Sequence, residues 1–97
     1  MREPLLIALL ALSHHDTMTD AAAANYMAVS TLSRRIMALE EEVGLVLVER
    51  CGCGAKLTVM GQAFIPIAEE VLAALGKARQ QTAALRRTRS TLSLGRR

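Results

Sequence analysis

Three short stretches of this sequence carry side chains able to do chemistry. They are the Ser/Arg run Ser30, Thr31, Ser33, Arg34 and Arg35, the cysteine pair Cys51-Gly-Cys53, and the histidines His14-His15. The cysteines amount to half a zinc site, because a closed site needs four N or S ligands and the histidines fall on a different predicted element. Chance variation at a solvent-exposed turn explains the pair more simply than a metal or redox switch. The acids come as Glu40-Glu41-Glu42 and Glu69-Glu70, a pattern of solvated helix faces rather than of carboxylates paired across a cleft. No glycine-rich phosphate loop, zinc-binding His/Glu spacing or nucleophile–base pair occurs. Catalysis, a bound cofactor and a metal are therefore not expected. What remains is hydrogen bonding, from hydroxyls and guanidinium groups crowded into six residues.

The element that positions this run is well defined. Leu32, Ile36, Leu39 and Val43 fall within about 60° of one another on a helical wheel, so they form one buried stripe. Ser30, Arg34, Met37 and Glu41 lie opposite, with Ser33 on the shoulder and Arg35 on the flank. This helix is predicted over 29–43, with Gly44 as its stop. Before it, Thr19 is expected to cap a helix over Asp20–Tyr26, whose small Ala21–Ala24 allows close packing. Residues 25–28 form a tight connection. An earlier helix opens at Pro4, gathers Leu5, Leu6, Leu9, Leu10 and Leu12 on one side, and ends near His14-His15. After Gly44, Leu45–Arg50 and Ala55–Thr58 read as two strands joined by a turn over Cys51–Gly54, making a wing.

Thr58 can cap a long helix from Val59 to Arg86 or beyond. Phe64, Val71, Ala78 and Leu85 recur every seven residues, with Ile67, Leu72 and Leu75 beside them. A helix of roughly 28 residues is about 42 Å long, longer than the lobe before it. Part of its stripe would lack an intramolecular cover, and a second copy is the simplest one. The dimerisation residues expected are thus Phe64, Ile67, Val71, Leu72, Leu75, Ala78 and Leu85. The alternative is that 64–75 only packs on the lobe and the rest is a solvated tail. Pro66 and Gly76 are weak points of this helix. Thr91–Gly95 alternates like the start of a strand.

Length and composition agree with such a fold. Ninety-seven residues make one small core, and 52% hydrophobic with 2% aromatic residues makes it aliphatic, suited to helix on helix. Net charge is +3, unevenly spread. Residues 1–70 hold five bases against all nine acids, and residues 71–97 hold seven bases and no acid. A nucleic-acid footprint in the first seventy residues must then be a local patch. The apolar run Pro4–Leu12 is too short to span a bilayer and lacks a positively charged flank. Two cysteines make no disulfide framework. A cytoplasmic protein without membrane attachment is expected.

Two helices joined by a tight turn, the second with a polar face opposite its core stripe, describe a helix-turn-helix over about 18–37. Such a face can enter the major groove, Arg34 reaching a guanine edge or a phosphate, Ser30 and Ser33 allowing close approach. The plainer alternative is that Arg34 and Arg35 solvate the helix and pair with Glu40–Glu42.

Four blocks align without a gap with the N-terminal domain of LysR-type transcriptional regulators: Thr19-x-Ala21-Ala22, Leu32-Ser33-Arg34-x-Ile36-x-x-Leu39-Glu40, Gly44-x-x-Leu47-x-Glu49-Arg50 and Leu57-Thr58-x-x-Gly61. The chain resembles that family over essentially its whole length, more closely than it does the molybdate-responsive regulators of similar winged architecture. The resemblance implies a mainly α winged helix-turn-helix over 1–58, a linker and dimerisation helix over 59–88, and a stub of a missing effector domain over 89–97. It implies double-stranded DNA as partner, a homodimer or a heterodimer with a full-length relative, and no small-molecule effector in this chain. It implies DNA contacts at Thr19, Val29, Ser30, Thr31, Ser33 and Arg34, with backbone contacts from Arg35 and, on the wing, Arg50 and Lys56.

The chain also departs from the family pattern. Ala28, Val29 and Ser30 replace the usual Ser, Gln and Pro, and Val29 can offer a base only an apolar contact such as a thymine methyl. Val48 stands in place of the usual Phe, and Cys51 and Cys53 in place of Thr and a basic residue. One phosphate contact fewer per subunit would weaken binding and lower its salt slope by about one. A second functional reading follows: a truncated relative that pairs through helix 59–86 with a full-length regulator and modulates it.

Overall fold

The computed structural model describes residues 2–51 and 54–96. In chain order the elements are α1 (Glu3–Ser13), α2 (Met18–Ala24), α3 (Val29–Val43), β1 (Val48–Cys51), β2 (Gly54–Leu57) and α4 (Val59–Arg96). This is the predicted fold class, three helices and a two-stranded wing followed by a long helix.

Pro4 lies in the first turn of α1, where its fixed φ suits the helix and no amide bond is lost. Helix α1 is the centre of the core rather than a surface helix: Leu5, Leu6, Ala8, Leu9, Ala11 and Leu12 are all buried, against α2, α3 and α4. Helix α2 begins two residues before the predicted start. Its cap is Thr17, whose Oγ1 accepts from Asp20 N at 3.0 Å, so Thr19 lies exposed inside the first turn. With Thr17 as cap, Asp20 takes the third helical position, the Thr-x-x-Asp spacing of a capping box, and Met18 is carried into the core. Ala21 and Ala22 are buried, bringing the backbone of α2 close to its neighbours.

The turn into α3 closes on backbone bonds. Met27 N donates to Ala22 O at 3.0 Å and Tyr26 N to Ala23 O at 3.2 Å, a Schellman-type stop. The residue forced into the left-handed region is Tyr26, at φ 55°, where glycine would be unstrained. Asn25 Nδ2 adds a bond to Ala21 O at 2.9 Å. Helix α3 has no side-chain cap, because Ala28 occupies that position, and it ends at Gly44 with φ 73°. Leu32, Ile36 and Leu39 are fully buried and Val43 partly so, as the stripe predicts.

The wing is antiparallel, pairing Val48 with Leu57, Glu49 with Lys56, Arg50 with Ala55 and Cys51 with Gly54. Helix α4 covers the other side of α1 with Phe64 and Ala68, both buried, and Val71 and Leu72, partly so. It is 38 residues long, about 57 Å of helix, and the molecule measures 66 × 25 × 19 Å. Residues 91–95 are helical, not the start of a strand; the turns of α4 before them set the helical course, and no strand lies alongside among the described residues. By length and composition Val59–Arg89 would suffice to cross a membrane. Phe64 and Ala68 seat its first turns in the core of the lobe.

Candidate nucleic-acid interface

The outward face of α3 follows from burying its stripe. With Leu32, Ile36 and Leu39 inside, Val29, Ser30, Arg34 and Met37 are exposed and Thr31, Ser33 and Arg35 half-buried. Arg34 reaches along the helix surface, its Nη2 3.4 Å from Thr31 Oγ1. Of the acids that the plain solvated-helix alternative pairs with it, Glu40 accepts from the Leu47 and Val48 amides and Glu42 meets Arg2. Arg34 and Arg35 line a shallow groove together with Thr31, Ala38 and, from the start of α1, Arg2, Pro4 and Leu5. Arg2, thirty-two positions away in sequence, thus adds a third guanidinium beside this face. It is steered by Glu42 at the far end of α3, 3.3 Å from its Nε. Only the packing of α1 on α3 shows this.

Glu40, read from sequence as a solvated acid, has a different task. Its Oε2 accepts from Leu47 N at 2.8 Å and Val48 N at 3.0 Å, fixing α3 to the entry of the wing. Leu47 is fully buried, and its carbonyl accepts from Thr58 N at 2.9 Å. Thr58 Oγ1 donates to Val46 O at 2.6 Å and accepts from Gly61 N at 2.9 Å, capping α4 as expected. A Cβ on Gly61 would stand 2.1 Å from Leu47 O, so α4 can start here only on a glycine. Glu40, Leu47, Thr58 and Gly61 therefore meet at one junction that holds α3, the wing and α4 in a single frame.

The wing residues are brought together less well. Side chains alternate along a strand, so the register puts Arg50 on the face of Val48, Ala55 and Leu57, while Lys56 shares the other face with Glu49. Both cations are exposed, but they point to opposite sides of the ribbon, and Lys56 lies directly across from an acid. Cys53 lies outside the described residues. Thr19 is exposed on the first turn of α2.

On α4 the expected seam divides. Phe64 is a correction: it is spent in the chain's own core, at 6% exposure, because the first turns of α4 lie directly on α1. Val71 and Leu72 are partly used in the same way. Ile67, Ala78 and Leu85 are exposed and Leu75 is half-buried. Further along, Arg79 grips Glu3 with both guanidinium nitrogens, Nη1 at 2.9 Å from Oε2 and Nη2 on Oε1, tying α4 to the start of α1.

Residues 5–62 match the model of the bacterial regulatory helix-turn-helix proteins of the lysR family. The chain belongs to the LysR family. YwqM, an uncharacterised HTH-type transcriptional regulator of Bacillus subtilis, is 33% identical over 90 residues, which is 93% of this chain and 31% of that protein. The iron-regulated virulence regulatory protein IrgB of Vibrio cholerae is 39% identical over 70 residues, 72% of this chain and 24% of its own length. The chain thus spans less than a third of either relative. Among solved structures, the DNA-binding domain of CbnR in complex with DNA matches with TM-score 0.81 at 29% identity, covering 88% of this chain and 98% of that one. The corresponding BenM domain, bound to a benA site, matches with TM-score 0.77 at 30% identity, covering 88% and 99%. The LysR blocks read in the sequence are therefore architectural as much as functional, since three of the four converge on the Leu47 junction.

Proposed function

We propose that this chain is the DNA-reading part of a LysR-type transcription regulator, with α3 entering the major groove of double-stranded DNA. The observation that carries this reading is the outward face of α3: Ser30 and Arg34 are exposed and Ser33 half-exposed, beside the Arg2–Arg35 groove, on a helix tied to the wing by Glu40. CbnR and BenM, whose matching domains are bound to DNA, support it. Arg34 is the base or phosphate contact, Ser30, Ser33 and Thr31 provide short hydrogen-bonding groups, and Val29 meets the groove floor. Arg35 and Arg2 hold the backbone, Thr19 adds a contact from α2, and one of Arg50 and Lys56 reaches a phosphate from the wing.

The active unit is a pair of chains joined along Ile67, Leu75, Ala78 and Leu85, which places two recognition helices on successive major grooves roughly 34 Å apart. The protein acts in the cytoplasm and is not an enzyme. A mobility-shift assay on the purified chain at two salt concentrations tests this. A complex that weakens steeply with salt is expected, and Arg34→Ala should reduce affinity about 5- to 100-fold. The absence of any salt-sensitive complex would leave a second reading, a chain that pairs through α4 with a longer relative. The exposed Ile67 and Leu85 supply the apolar surface that such a pairing needs.

A further inference from the structure

The reading face of α3 is more apolar than its task suggests. Val29 is 40% exposed and Met37 54% exposed, and the two stand on either side of Ser33 at successive intervals of four residues, so the three form one ridge that winds about 80° round the helix. About half of each side chain is left open to solvent, and the exposed Arg34 and Ser30 lie along the same stretch of helix. A side chain without donor or acceptor, pressed against a base edge, strips water from the polar atoms there and returns nothing. It gains only where the edge itself is apolar. In the major groove one such group exists, the C5-methyl of thymine.

We infer that Val29 and Met37 are specificity-determining residues that read thymine methyl groups. This deepens the reading proposed above and rests on α3 being the recognition helix. Their separation along the axis is about 12 Å. At 3.4 Å per step along a strand, that corresponds to thymines three to four base pairs apart, with the Arg34 contact between them. Hydrogen-bond readout at this site is left to Arg34 and the serines, so methyl contacts carry the remaining sequence preference.

The test replaces thymine by uracil, which keeps every hydrogen-bonding atom and removes only the methyl. Two randomised duplex libraries, one made with thymine and one with uracil, are selected on the full chain, and duplexes enriched from the first are remade in both forms for binding. Thymine duplexes should bind more tightly by about fourfold for each buried methyl. The double variant Val29→Ser/Met37→Ser, altered at two positions outside the buried core and checked for an unchanged helical content, should bind both forms alike; any effect of uracil on the duplex itself would persist in it. Equal binding of both forms by the unaltered chain overturns the proposal, and so does a thymine preference that survives in the double variant. If neither library gives a salt-sensitive complex, it is the DNA-reading assignment of α3 that fails.

Discussion

Two regions meet along α3 and are built by opposite rules. At its C-terminal half, the junction around Leu47 leaves little unmatched: Glu40 takes two amides, Thr58 takes a carbonyl and caps a helix, and Gly61 leaves no room for a methyl. At its N-terminal half, α3 starts without a side-chain cap, follows a tyrosine held at positive φ, and shows Val29 to water. The first region maximises local agreement, while the second gives up local stability at the surface offered to another molecule. A frame must be stiff where it aims a helix, and the aimed surface is free to be suboptimal until its ligand covers it.

Substitutions can break this contrast. Gly61→Ala should have the largest effect, because the added methyl meets a backbone carbonyl that is itself fixed by Thr58. A loss of about 3 kcal/mol is expected in urea unfolding, and a variant as stable as the parent would show that the junction yields. Next comes Glu40→Ala, which strands the amides of Leu47 and Val48; a loss of about 2 kcal/mol is expected. The opposite region should respond with the opposite sign. Tyr26→Gly relieves a left-handed tyrosine whose side chain is 97% exposed and should raise stability by about 1 kcal/mol.

The smallest effect is expected at the tie between α1 and α4. The hydrogen bond from Arg79 holds the carboxyl of Glu3 below the usual carboxylate range, against an opposing push from desolvation. A depressed folded value means that the tie contributes above the unfolded value of about 4.3 and fades as pH falls below it. The difference in urea midpoint between the parent and Arg79→Gln should therefore be present at pH 7 and shrink towards pH 3. Solvent exposure of both groups keeps it small.

Much of this was legible in residue order. The period of Leu32, Ile36, Leu39 and Val43 specifies both which face of α3 is inside and that Ser30 and Arg34 are out, because periodicity and burial are the same constraint. Thr58 and Gly44 signalled helix ends through chemistry that acts over three or four residues. Thr19 misled because two threonines stand two residues apart at the start of α2, and the choice depends on whether Met18 is drawn into the core. The alternation of residues 91–95 misled because a strand needs a partner, while the helix before it can simply continue.

From sequence alone, then, came the elements, the buried stripe and the family blocks, all consequences of short-range periodicity and capping. Tertiary packing decided what lies far apart along the chain. It set Arg2 beside Arg34, turned Glu40 from a surface acid into the clasp of the wing, drew Phe64 into the core, and put Arg50 and Lys56 on opposite faces of the ribbon. Each of these depends on which backbone atoms a fold brings within about 3 Å, and no local pattern encodes that distance.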